Sequence, residues 1–127
     1  LANACRRIDE VDYICAWGPG HRAIDTNEST ALRRVFGDRL RNIPACSIKA
    51  AIGTALAAAG AIEVASVSLS MRHGLIPPTV NWETPDPSCP LNLTARARYL
   101  GTNVALVNAH GLSGSNSVIV MERSCPC

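Results

Sequence analysis

The sequence predicts an α/β fold, a mixed sheet with a long, buried, Ala/Gly-rich helix. Three observations carry this. Hydrophobic residues make up 47% of the 127 positions and charged residues only 17%, which excludes a disordered chain and suits one domain with a single core. Strand-like and helix-like patterns alternate along the chain. Finally, residues 49–74 form one long run of Ala, Ile, Val, Leu, Gly and Ser, with Glu63 as its one internal acid.

In order, residues 10–16 (EVDYICA) alternate and then run apolar, as a buried strand does, and Gly18-Pro19-Gly20 ends it. Trp17 therefore falls at the strand end, where open α/β sheets present reactive groups. The next segment predicts a helix capped near Thr26 or Asn27, with Glu28 close to the positive end of its dipole and Ala31, Leu32, Val35 and Phe36 as its apolar stripe. Residues 44–48 predict a short strand. The run from Lys49 to Gly74 has apolar residues on all sides, so burial on most sides is expected, with a helix that starts only after Gly53 as the alternative. Arg72 and His73 suit the end of its dipole, and Gly74 suits a C-cap. Residues 75–95, with Pro77, Pro78, Pro85, Pro87 and Pro90, predict an irregular crossing segment pinned by Trp82. Residues 102–108 and 116–122 predict a hairpin around a glycine-bearing loop.

Composition narrows the classes further. The net charge is +2 and the basic residues are scattered, without the tracts and interleaved aromatics that bind nucleic acid. Arg33, Arg34, Arg39 and Arg41 form one local basic region, read as a solvated helix end, or as a surface for an acidic carrier protein or a phosphate. No stretch has the length and apolarity of a membrane span. The six cysteines read as free thiols in a reducing, cytoplasmic compartment; Cys125 and Cys127, one residue apart, do not form a CxxC element. The three histidines are too dispersed for a metal site. The low charge fraction, and a sequence that opens on Leu1, fit a segment that belongs to a larger unit.

Three stretches bear the chemistry: YICAWGPGHRAIDTNE from Tyr13 to Glu28, SIKAAIGTALAAAG from Ser47 to Gly60, and NAHGLSGSN from Asn108 to Asn116. Together with LIPPTVNWETPDP (residues 75–87), they resemble the carboxy-terminal half of β-ketoacyl synthases of the thiolase superfamily, over nearly the whole chain. The family reads Asn-Ala-His-Gly-Thr-x-Thr in the first stretch, followed by an Asp and a Glu. This chain keeps Ala16, Gly18, Asp25 and Glu28, but Trp17 stands where the histidine would, and Pro19 and His21 replace the threonines. In the second, the family reads Lys-Ser-x-x-Gly-His. Lys49 and Gly53 match, while Ala50 replaces the serine and Thr54 the second histidine. In the third, the family reads Asn-Ser-Phe-Gly-Phe-Gly-Gly-x-Asn. Asn108, Gly111, Gly114 and Asn116 match, and His110 and Leu112 replace the phenylalanines.

The resemblance implies the C-terminal half of a thiolase-like fold spanning residues 1–127, no cofactor, and an acyltransferase ancestry whose nucleophilic cysteine lies in an amino-terminal half. It also implies partners: that half or a paired synthase subunit, a dimer, and an acyl carrier protein. Condensation needs a cysteine thiolate, and imidazole groups to stabilise the enolate formed as a malonyl thioester loses CO₂. Tryptophan donates one N–H but is no base, and threonine is no useful base either. The expected reading is a degenerate synthase-like domain, non-catalytic by itself, acting as a chain-length-factor-like or structural partner in fatty acid or polyketide synthesis. The alternative is an active synthase completed by its missing half. The degenerate positions Trp17 and Thr54 and the retained Lys49 and Glu28 define the candidate site, with His110, Leu112 and Asn116 as pocket-lining residues. A buried Lys49–Glu28 ion pair is expected, with an exposed Lys49 as the alternative. His21 reads as a loop histidine, with reach back into the vacated site as the alternative.

Overall fold

The computed structural model of the protein describes residues 1–124; Cys125 and Cys127 lie outside the described residues. The elements run β1 (Tyr13–Cys15), α1 (Arg22–Phe36), β2 (Ala45–Cys46), α2 (Lys49–Ile52), α3 (Ala59–His73), β3 (Leu75–Ile76), β4 (Arg98–Tyr99), β5 (Val104–His110) and β6 (Asn116–Glu122). Four strands form one mixed sheet in the order β2-β1-β5-β6. β1 is parallel to both β2 and β5, and β6 returns antiparallel to β5. The predicted hairpin is present, its strands in register from Val104 opposite Glu122 to His110 opposite Asn116.

Side chains on successive strand residues point to opposite faces, and that alternation builds two cores. Ile14, Val104 and Leu106 face Leu32 and Phe36 of α1, together with Leu40 and Ile43 beyond it. Tyr13, Cys15, Ala105 and Val107 face Val67 and Met71 of α3. Each fully covered aliphatic side chain stabilises this arrangement by about 1.5–3 kcal/mol relative to exposure. β1 thus runs between two helical layers, and its three residues are all buried. Cys15 and Cys46 are buried neighbours in register on β1 and β2, and the Tyr13 hydroxyl lies 2.8 Å from the Cys46 Sγ. The neighbouring Cys46 thiol, together with burial, pushes the Cys15 thiol well above its ordinary range.

The long helix differs from its expected form. It is broken after Ile52, where Gly53 adopts a positive φ of 77° and its N–H closes on the Lys49 carbonyl. A single 3-10 turn at residues 56–58, with Leu56 at φ 47°, then leads into α3. Nor is the run buried on most sides. Val67, Ser70 and Met71 are covered, while Ile62 is 37% and Leu69 55% exposed on the outer side. The apolar pattern all round the helix is therefore only half used by the described residues. α1 begins at Arg22, ahead of the expected cap, so Thr26, Asn27 and Glu28 lie inside it. The proline-bearing segment crosses beside β2, where the Ala45 N–H donates to the Asn92 carbonyl at 3.0 Å.

Candidate functional site

The site forms where β1 ends, and Glu28 organises it. Residue 28 lies one turn into α1 from Ile24, on the face turned to the sheet, and is 3% exposed. Its Oε1 accepts the Trp17 backbone N–H at 2.8 Å and the Asn108 side-chain amide at 2.6 Å. Its Oε2 accepts the Gly18 N–H at 2.9 Å. One carboxylate thus satisfies the two N–H groups left free where β1 stops pairing, and ties that strand end to β5. Gly18, at φ +34°, backs directly onto Ser47, whose Oγ donates to the Gly18 carbonyl at 2.7 Å.

These bonds hold Trp17, which is 7% exposed, with its ring turned toward His110. The two rings meet edge to face, centroids 5.4 Å apart and planes at 76°. The Lys49 ammonium lies 5.9 Å from the Trp17 ring centroid, within cation–π range. Asn108 can donate to Glu28 only through its amide nitrogen, and that nitrogen also lies 3.0 Å from His110 Nε2. Nε2 is therefore the acceptor. Nδ1 carries the hydrogen and donates it to the Asn116 side-chain oxygen, and the Asn116 amide in turn donates to the Gly114 carbonyl at 3.2 Å. The chemistry of the partners assigns the tautomer.

The expected Lys49–Glu28 pair is not formed. Both residues are buried, but Lys49 pairs with Glu63 of α3, and Glu28 is occupied by backbone and amide donors. Burial pushes the Glu63 carboxyl above its ordinary range, with Lys49 pulling the other way. Glu63 is the site residue that sequence reasoning passed over. Its signal was present, as a lone acid in an otherwise apolar run.

Thr54 is not brought to Trp17. It sits exposed in the turn after Gly53, and Leu56 and Ala57 line the cleft beside the tryptophan instead. That cleft, about 290 Å³, also involves Trp17, His110 and Asn116. A second cleft of about 380 Å³ is lined by Trp17, Glu28, His110, Leu112 and Asn116. A third, about 310 Å³, lies on the side of Lys49, Ser47 and Trp82. His21 is exposed at the start of α1. Among the described residues there is no cluster of His, Cys, Asp or Glu that could hold a metal ion, and no helix long and apolar enough to cross a membrane.

The mixed sheet, with helices on both of its faces, has a thiolase-like topology. Residues 1–83 match the family model described as "Beta-ketoacyl synthase, C-terminal domain", and the chain belongs to that family. It is 36% identical to nodulation protein E of Rhizobium meliloti and 40% identical to the tetracenomycin polyketide synthase ketoacyl synthase alpha subunit of Streptomyces glaucescens, each over 97% of this chain. It spans 31% and 29% of those relatives' lengths. Among solved structures, it superposes on the ishigamide ketosynthase/chain length factor with a TM-score of 0.94 at 32% identity, covering 98% of this chain and 31% of that one. A type II polyketide synthase acyl-carrier protein in complex with its ketosynthase, bound to the hexaketide, matches with a TM-score of 0.95 at 37% identity, again over 98% of this chain and 31% of that one. The domain is thus related to ketosynthase-type condensing enzymes.

Proposed function

We propose that residues 1–127 are the C-terminal domain of a degenerate β-ketoacyl synthase-like protein, non-catalytic by itself, that serves as a chain-length-factor-like or structural partner in polyketide or fatty acid condensation. One observation carries this reading: the buried Trp17 ring stands at the end of β1, where the family places a catalytic histidine. It has no basic nitrogen, and its bulk takes space that an acyl thioester would need. Thr54, at the second histidine position, is exposed and equally unsuited as a base. Removing one oxyanion donor typically costs about 3 kcal/mol of transition-state stabilisation, and here two are replaced. The apolar residues left exposed on α3, Ile62 and Leu69, support a life within a larger assembly, either the amino-terminal half or a paired synthase subunit in a dimer. The match to a ketosynthase/chain length factor supports the same pairing, and that to a carrier-protein complex supports an acyl carrier protein as a further partner. The free, buried Cys15 and Cys46 support a reducing cytoplasmic location.

A second reading, an active synthase whose nucleophilic cysteine lies in an amino-terminal half, is favoured by the retained Lys49, held in a buried ion pair with Glu63, and by 40% identity to a ketoacyl synthase alpha subunit. The deciding experiment supplies the full-length protein with malonyl-carrier protein and an acyl primer. Release of CO₂ and condensed product only after addition of a paired ketosynthase supports the first reading. Turnover by the protein alone, abolished by Trp17→Ala, establishes the second.

A further inference from the structure

The Asn108 amide stands between two acceptors. Its one nitrogen lies 2.6 Å from Glu28 Oε1 and 3.0 Å from His110 Nε2, so both of its hydrogens are used. This arrangement works only while Nε2 keeps its lone pair. Nδ1 already donates to the Asn116 side-chain oxygen, so a proton arriving at His110 has Nε2 as its one place to bind. Solvent can deliver that proton, because the His110 side chain is 23% exposed. We propose that His110 is a proton-operated latch: neutral, it closes the network onto Asn108; protonated, it leaves Asn108 for Glu28 and frees the loop formed by residues 111–115.

Protonation sets a donor on Nε2 against a donor on Asn108, 3.0 Å apart. Turning the amide over does not resolve this conflict. It would set the amide oxygen 2.6 Å from Glu28 Oε1, acceptor against acceptor, beside a carboxylate that is only 3% exposed. The other resolution is already close at hand. Nε2 lies 4.0 Å from Glu28 Oε1, and about 1 Å of ring movement turns that approach into a charge-assisted hydrogen bond. The same movement disturbs the Nδ1 bond to Asn116 and the edge-to-face contact with Trp17.

The loop depends on that Asn116 bond. Residues 111–115 are all exposed, so no buried side chain holds the loop down. Its remaining bonds are internal: the Gly111 N–H donates to the Ser115 carbonyl at 2.7 Å, and the Gly114 N–H to the Gly111 carbonyl at 3.0 Å. Asn116 also donates to the Gly114 carbonyl at 3.2 Å, which passes any displacement of Asn116 into the loop.

The charges around the ring favour this direction of transfer. From α1, Glu28 faces Nε2. From α2 and α3 comes the buried Lys49–Glu63 pair, whose ammonium lies 5.9 Å from the Trp17 ring centroid. The end of β1 presents only the Trp17 indole, and residues 111–121 of the loop and β6 carry no charge. Glu28 is therefore the one charged group positioned to receive the new N–H.

The test uses the full-length protein labelled with 5-fluorotryptophan, the Trp17 fluorine signal being the one missing from Trp17→Phe. Between about pH 8 and about pH 5, where histidines change charge, that signal should move in a single-proton step, and amide exchange of residues 111–115, taken relative to the intrinsic rate at each pH, should rise roughly tenfold across the same step. His110→Gln and His110→Phe take up no proton, and each should be flat on both readouts. His21→Gln and His73→Gln should keep the step. Burial pushes the Glu63 carboxyl up, which makes it the competing source of a pH effect, so Glu63→Gln should keep the step as well. An absent step in the wild type overturns the proposal, whichever variants fold. So does a step that survives either His110 substitution, one that disappears in folded Glu63→Gln protein, or a Trp17 step with loop exchange unchanged.

Discussion

Lys49 and Glu63 form an ion pair across the break at Gly53, joining the four-residue α2 to the first turns of α3, with both side chains almost completely buried. The chain reverses its local geometry between them, so the pair fixes how the turn and the helix meet. Buried pairs of this kind specify geometry more than they stabilise it. Lys49→Met alone should therefore destabilise the protein by about 3–5 kcal/mol in urea unfolding, because it leaves Glu63 uncompensated. Adding Glu63→Leu should restore much of that loss. Strictly additive penalties would show that the two side chains do not act as a pair.

The same carboxyl gives stability a pH dependence. Burial raises the Glu63 pKa above its ordinary 4.5, and burial with the nearby Glu28 raises that of Asp25 above 3.8. A group whose folded pKa is raised contributes stability that is complete below its unfolded pKa and is lost as pH rises through the folded value. The unfolding free energy should accordingly fall as pH is raised from about 4.5 toward neutrality, and Glu63→Gln should flatten that slope. The exposed Asp9 and Asp86, held low by Arg7 and by Ser88 respectively, act in the opposite sense, at pH values below 3.8. A Glu63→Gln profile that superimposes on the wild type would rule this account out.

Glu28 accepts three N–H donors while buried, so removing its charge should be costly even without a change in size. Glu28→Gln turns one acceptor oxygen into a donor that faces an N–H, and a loss of about 3 kcal/mol is expected. The loss should be accompanied by a red shift of Trp17 emission, read in a Trp82→Phe background, as the strand end loosens. Unchanged stability and emission would mean that the carboxylate is not the anchor.

Gly18→Ala should be poorly tolerated for two separable reasons. Its φ of +34° lies where a Cβ is strained, and that Cβ would fall 2.8 Å from Ser47 Cβ. Overpacking and backbone strain together predict a cost of about 2–4 kcal/mol. Ser47→Gly in the same chain relieves the clash but not the strain, so it should recover part of the loss. A Gly18→Ala protein with the wild-type melting temperature would contradict the close approach of these two segments.

Much of the frame was legible from local pattern. EVDYICA announces β1 because its residues face two apolar layers, and TNVALVN with NSVIVME announces the hairpin because they flank a glycine-bearing loop. The residues around the break in the long helix were less informative: an apolar run has no intrinsic stop signal, and Gly53 is compatible with either continuation or termination until its neighbours are placed. α1 starts at Arg22 because His21 enters in an extended conformation with no side-chain cap, whereas the stronger capping residues further on are interior to the helix. The partner of Lys49 was misassigned because Glu28 stands in a recognisable motif. Only the structure reveals that the end of β1 already uses that carboxylate completely. The pairing of Trp17 with His110 joins residues 93 positions apart and left no trace in any local pattern.

β6 forms the outer edge of the four-stranded sheet among the described residues, and Val118 and Ile119 on it are 52% and 44% exposed. An open row of backbone donors and acceptors beside β-branched side chains is a template for strand addition. Produced alone, this chain would be prone to pair edge to edge with itself, and a lysine at position 118 would be the simplest protection against inclusion-body formation.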